Sequence, residues 1–163
     1  MFSKMIISFF LKGVLGYLMQ LFAIVIGMHG IARHKISWAK VSVICVISAI
    51  ITYVLRTIPM IQFGVHTLLT CLITNVGCVF VCKMDVRKSV LGSIVMMILV
   101  LLSDIVNFAV LLPIMQFDTA AMQAFLQNEI NKAVSALPGN VVLLMVALLI
   151  YRFRATKKKE KAA

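Results

Sequence analysis

Residues 64–82 read GVHTLLTCLITNVGCVFVC, and this stretch decides the fold class. At about 100° per residue, its polar and small residues fall on one half of a helix. That half consists of His66, Thr67, Thr70, Cys71, Thr74, Asn75, Gly77, Cys78 and Cys82. A helix in lipid must turn polar groups away from hydrocarbon. We therefore predict a bundle helix of a membrane protein, in which Thr67, Thr70, Thr74 and Asn75 pack against other helices or line a cavity.

The composition is also typical of a membrane protein. The 163 residues are 63% hydrophobic, and the mean hydropathy of +1.09 is far above that of a soluble domain. The net charge of +11, from 16 Lys+Arg and 5 Asp+Glu, indicates membrane topology rather than nucleic-acid binding in so apolar a chain. We expect a single polytopic membrane domain over residues 1–155 and a basic cytoplasmic tail over residues 156–163.

Five segments are long and apolar enough to cross a bilayer as helices of about 20 residues. They are residues 5–30, 38–55, 63–82, 90–115 and 134–151. The fifth has an uncertain start because Pro138-Gly139 is expected to break it. The first could be a secretory signal peptide, but it is long for one and no clear cleavage site follows. The predicted fold is all-α, a bundle of five transmembrane helices.

Residues 118–137, between the fourth and fifth segments, have a helical pattern of their own. Asp118 or Thr119 can cap a helix start, and apolar residues then recur opposite Gln123, Gln127 and Lys132. This pattern predicts an amphipathic helix in the outer interface, although a solvated extracellular helix has the same pattern.

The basic residues predict the orientation. With the N-terminus outside, twelve of them are cytoplasmic: Arg33, Lys35, Lys40, Lys83, Arg87, Lys88, Arg152, Arg154, Lys157, Lys158, Lys159 and Lys161. The opposite side has Lys4, Arg56 and Lys132, and Lys12 lies within a segment. The positive-inside rule therefore places the C-terminus in the cytoplasm. The tail is expected to be a disordered anchor on anionic lipid.

Polar residues inside the segments form the candidate site. Placing a charged aspartate such as Asp104 at the centre of a membrane helix costs about 2.5–3.5 kcal/mol. Counting at about 1.5 Å per residue places Asp104 at a depth in the membrane similar to that of Lys12. Arg56 and His66 flank the second loop, and Asn107 follows Asp104 by less than a turn. We predict that these five form an outward-facing site that reads protons or a small polar ligand. A purely structural Lys12–Asp104 or Arg56–Asp104 pair remains open.

Catalysis has little support in the sequence. Asp104 is the only acid within a helix core, whereas carboxylate acid–base chemistry needs two acids. His66 and Cys71 lie about 140° apart on a helix, so they are poor partners for nucleophilic catalysis. Cys78 and Cys82 lack further metal ligands nearby. We expect no enzyme activity, no cofactor and no metal.

One stretch carries a family resemblance. Residues 53–69 read YVLRTIPMIQFGVHTLL, with Arg56, Pro59, Phe63-Gly64 and His66-Thr67 in a pattern of the type R-x-[IL]-P…F-G-x-H-T. This pattern resembles the N-terminal membrane region of Firmicutes sensor histidine kinases with GHKL-type ATPase domains, as do the loop over residues 83–88 and residues 140–154. The resemblance implies a bacterial cytoplasmic membrane and a fifth helix that leads towards a catalytic half.

The sequence has no phosphoacceptor histidine in the tail and no ATP-binding region after residue 151. We therefore expect a stand-alone sensor or regulatory subunit that acts through a separate kinase or another membrane protein. The alternative is a small-molecule-binding subunit of an energy-coupled importer. The expected partners are the lipid bilayer, a membrane protein and a small polar ligand, with no nucleic acid.

The topology can be tested with reporter fusions after Lys35, Gln62, Asp85, Gln127 and Lys159. We expect cytoplasmic reporter activity at Lys35, Asp85 and Lys159 and external activity at the other two, because the basic loops stay inside. External activity at Lys159 contradicts the predicted orientation.

Overall fold

The computed structural model describes residues 16–56, 65–115 and 129–160. Within these ranges the regular elements are helices: α1 (Met19–Ala32), α2 (Trp38–Arg56), α3 (Val65–Phe80), α4 (Val86–Met115) and α5 (Glu129–Glu160). A π-helical turn at residues 16–18 leads into α1. The predicted all-α class is therefore confirmed.

Three of these helices have stretches long and apolar enough to cross a membrane, namely Trp38–Leu55, Val86–Asn107 and Ser135–Arg154. Of the five predicted crossings, three therefore have a helix of sufficient length and apolar composition in the described part of the chain. The described apolar parts of α1 and α3, Gly16–Ala32 and Leu68–Phe80, are shorter than these three stretches. Residues 5–15 and 63–64, which the prediction adds to them, lie outside the described ranges.

The prediction that Pro138-Gly139 breaks the fifth helix is wrong. α5 runs from Glu129 to Glu160 with Pro138 inside it. Side chains of α4 donate hydrogen bonds to the Ser135 and Gly139 carbonyls, on either side of the proline, and so tie this part of α5 to its neighbour. Residues 129–137 are therefore the first turns of α5 rather than part of a separate interfacial helix, and the preceding residues 118–128 lie outside the described part.

The structure also changes the predictions for the basic tail and for the start of the fourth helix. Residues 156–160 continue α5, so the part of the tail that the structure describes is helical rather than disordered.

The helix α4 begins at Val86, four residues before the predicted start of the fourth segment. Asp85 explains this early start, because its Oδ1 accepts a 3.1 Å hydrogen bond from the Lys88 backbone N–H and caps the helix.

α1 is the central helix and contacts each of the other four. Its residues from Leu21 to Ala32 are mostly buried, and it is apolar on all sides, as expected for a helix enclosed by others. Leu21, Ile24 and Met28 pack in one core with Met96 and Val100 of α4. The bundle is therefore organised around α1.

Specific contacts give the direction of each helix. Asn140 of α5 bonds to the Gly16 carbonyl, and Arg154 bonds to the Ile31 carbonyl, so α1 and α5 are parallel. α4 is antiparallel to both, and α2 and α3 form an antiparallel pair. Residues 33–37, residues 81–85 and the C-terminal end of α5 therefore share one end, which we call the basic end.

The two short loops at the basic end close in the same way. Arg33 follows α1 with φ 54°, and Lys83 follows α3 with φ 55°, both in the left-handed region. The His34 N–H then bonds to the His29 carbonyl at 2.9 Å, and the Met84 N–H bonds to the Cys78 carbonyl at 3.2 Å. These bonds satisfy the last carbonyls of each helix, and the cationic side chains suit the negative helix ends.

The packing of α1 against α5 predicts the effect of Gly30→Ala. A Cβ at Gly30 would lie 2.9 Å from the backbone N and Cα of Tyr151, so the α5 backbone must move. We expect the free energy of unfolding in detergent to fall by about 1–3 kcal/mol. Gly77→Ala is the control, because its Cβ would meet only the Ile44 side chain, at 3.0 Å. Equal losses in the two variants contradict this account of α1 packing.

Candidate functional site

The structure describes only part of the predicted outward-facing cluster. Lys12 lies outside the described residues. Arg56 ends α2 and His66 lies in the first turn of α3, but their side chains fall outside the described part. Asp104 and Asn107 both lie on α4, near the end of the bundle opposite the basic end. Whether all five side chains meet therefore stays a prediction.

Asn107 and Ser103 attach α4 to α5. The Asn107 amide donates a 2.6 Å hydrogen bond to the Ser135 carbonyl, and the Ser103 hydroxyl donates a 2.9 Å bond to the Gly139 carbonyl. Pro138 lies between these two carbonyls, lacks an N–H and crowds the preceding turn. We call Ser103, Asn107, Ser135, Pro138 and Gly139 the Pro138 junction. Here two side chains of α4 bond to carbonyls of α5 that lie within one turn of its proline.

Asp104 lies beside this junction in the sequence of α4. Its side chain is exposed, like those of the next two residues, Ile105 and Val106, which are 64% and 58% exposed. It follows Val86 by about 27 Å along the helix, near the end of the membrane-length stretch Val86–Asn107. The carboxylate is therefore placed to meet a group at the membrane boundary.

The predicted polar face of α3 contacts α2 and α4. Thr70 and Thr52 share a 3.0 Å hydroxyl hydrogen bond, and the Ser89 hydroxyl donates a 2.7 Å bond to Asn75 Oδ1. Thr74 is buried and bonds to the Thr70 carbonyl of its own helix. The Thr67 side chain lies outside the described part. Thr70 and Asn75 therefore join α3 to its neighbours, as polar side chains do in membrane bundles.

His29, on the central helix, is a candidate residue that we did not predict. Its side chain is fully buried. Nδ1 lies 2.8 Å from the Val25 carbonyl oxygen, and since a carbonyl only accepts, Nδ1 carries a proton. Nε2 is buried without a hydrogen-bond partner among the described residues. The His34 ring lies edge-on with its centroid 5.6 Å away.

A buried nitrogen without a partner costs about 1–3 kcal/mol, so His29 is the least satisfied buried side chain in the described part of the bundle. One feature of the sequence does indicate that His29 is unusual. His29 is the only ionisable residue between Leu21 and Ala32, and glycines lie two residues before it and one after it. Its burial depends on the helices around α1, which periodicity does not reveal.

The four cysteines, Cys45, Cys71, Cys78 and Cys82, are buried free thiols. Cys82 lies in the loop beyond α3, where burial raises the pKa of its thiol and the nearby Lys40 ammonium partly opposes that rise. Lys40, at the start of α2, therefore lies close to the loop after α3. Across residues 16–56, 65–115 and 129–160, no three His, Cys, Asp or Glu side chains are placed to hold a metal ion.

Comparison of this chain with protein-family models, with curated proteins and with solved structures finds no match.

A double-mutant cycle tests the Pro138 junction. We expect Asn107→Leu to lower the free energy of unfolding by about 0.6–1.7 kcal/mol, the range for hydrogen bonds between membrane helices. In a Pro138→Ala background the cost should be smaller, because without the ring the Gly139 N–H can approach the Ser135 carbonyl and take over the bond. Asn75→Leu is the control, because it removes an amide that bonds to Ser89 far from the proline and should cost the same in both backgrounds. Equal costs of Asn107→Leu in both backgrounds contradict the role given to the proline.

Proposed function

We propose that this chain is a membrane sensor or regulatory subunit that acts through partner proteins and not as an enzyme. The observation that carries the proposal is the continuity of α5. This single helix extends from the Pro138 junction to beyond Tyr151 at the basic end. A change at one end of such a helix can reach the other without any intervening loop.

The Pro138 junction supports this role because it couples two helices through weak, replaceable bonds. Ser103 and Asn107 hold the carbonyls on either side of Pro138. A shift of α4 along α5 breaks these bonds and changes the bend of α5, since prolines are the usual site of helix kinks. The exposed Asp104, one turn or less from both donors, is well placed to receive the stimulus.

The stimulus we propose is a proton or a small polar ligand at Lys12, Arg56, His66, Asp104 and Asn107. A charged group within a membrane helix is a candidate functional group by default. Four of these residues come from three predicted membrane segments, and Arg56 directly follows a fourth, so binding there would act on the relative positions of four helices.

The proposed location is the bacterial cytoplasmic membrane, with five crossings, the N-terminus outside and the C-terminus in the cytoplasm. Basic residues of two loops and of the end of α5 share the basic end, as the positive-inside rule requires of a cytoplasmic face. The resemblance of residues 53–67 to sensor histidine kinases supports a bacterial signalling role, and a separate kinase is the proposed partner.

The partner-dependent role can be tested by affinity purification from native membranes with quantitative mass spectrometry. Phe153, which is 68% exposed near the end of α5, is the proposed contact. We expect a kinase or another membrane protein to copurify, with several-fold lower recovery for Phe153→Ala. Trp38→Ala is the control, because Trp38 is a comparably exposed aromatic residue, at 60%, on the same end.

Equal recovery with both variants contradicts an output through α5. Substrate uptake by vesicles that contain the chain with an importer's energising subunits, without any signalling partner, supports the transporter alternative instead.

A further inference from the structure

A groove runs along the surface between α2 and α3. Its volume is about 340 Å³, and apolar side chains line it almost entirely. Val43 and Ile47 form one wall, Val76 and Phe80 form the other, and Gly77 lies between them. These walls are exposed, with Phe80 at 77%. The groove is therefore open on the side that faces lipid.

The groove is too short to hold a helix, but its size suits part of a lipid acyl chain. Its lining on the α3 side extends from Ile73 to Val81, which is about 12 Å at 1.5 Å per residue. The volume falls at the lower end of the range of about 300–1,000 Å³ for small-molecule sites. Gly77 keeps the floor low, since a Cβ there would already lie 3.0 Å from Ile44.

Two lysines stand at the basic end of this groove, one from each wall. Lys40 precedes Val43 by less than one turn of α2, and Lys83 follows Val81 by two residues. Both side chains are exposed. Since α2 and α3 are antiparallel and pack together at Ile44 and Gly77, the two lysines lie at the same end of the groove. The acid of this loop, Asp85, is occupied in capping α4.

We propose that this groove is a binding site for one anionic phospholipid, with an acyl chain between α2 and α3 and the phosphate between Lys40 and Lys83. The groove offers apolar surface where a chain lies and positive charge where a phosphate lies. A second copy of this chain fits less well, because a symmetric pair meeting at this groove would bring four lysines together. The site would be occupied whether or not the chain has a signalling partner.

The test is native mass spectrometry of the delipidated full chain in detergent, titrated with dioleoyl phosphatidylglycerol or dioleoyl phosphatidylcholine. We expect one tightly bound phosphatidylglycerol and weaker phosphatidylcholine binding. Lys40→Gln with Lys83→Gln should weaken phosphatidylglycerol about 30-fold, the effect of two lysines near a charged surface. Lys35→Gln with Arg152→Gln is the charge-matched control at the same end and should change binding little.

Val43→Phe should fill the groove and also displace the lipid. Val142→Phe, at an exposed site of α5, is its control. The unfolding temperature without lipid shows that each variant is folded.

Five results would overturn the proposal. The first four are equal affinity for the two lipids, equal weakening by both lysine and control pairs, unchanged binding by Val43→Phe, and dimers that dissociate when the groove is filled. Oleate binding as tight as that of phosphatidylglycerol would also overturn it, because the ligand would then be a free carboxylate rather than a phospholipid.

Discussion

The close approach of α1 and α5 is the constraint on which the rest of the bundle depends. These two parallel helices meet at Gly30, where no Cβ could be accommodated without moving the Tyr151 backbone. The contact is fastened by Asn140 at one end and Arg154 at the other, each bonding to a carbonyl of α1 or of its leading turn. Since α1 also contacts α2, α3 and α4, the relative position of α1 and α5 determines where every other helix can lie.

Polar side chains also join the helices by donating hydrogen bonds to backbone carbonyls, which lipid cannot do. Ser103 and Asn107 donate to carbonyls on either side of Pro138, while Ser93 reaches the Cys71 carbonyl of α3. α4 is the donor in each of these contacts. It therefore connects the α1–α5 pair with the α2–α3 pair, and a displacement of α4 would disturb its contacts with both pairs.

Periodicity and charge predicted much of this architecture because those properties are local. The second segment was predicted at residues 38–55, and the structure gives the membrane-length stretch Trp38–Leu55. The continuity of α5 could not be predicted, since the side chains that bond beside its proline come from α4, 36 and 28 residues before the carbonyls that accept them. The same limit applies to the candidate site. Asn107 was predicted from its neighbours on α4, but its bond to α5 and the burial of His29 come from tertiary packing.

His29 has a buried ring nitrogen, Nε2, that lacks a hydrogen-bond partner among the described residues. Its ring is held by Val25 within α1, so Nε2 cannot turn to a new acceptor or donor without losing that bond. The nearest ring, His34, lies in the loop that starts with the left-handed Arg33. Because the side chain is fully buried, a donor can reach Nε2 only by entering between α1 and the helices packed around it. Such an entry would loosen the one helix that contacts all the others, close to where Arg154 ties α5 to Ile31.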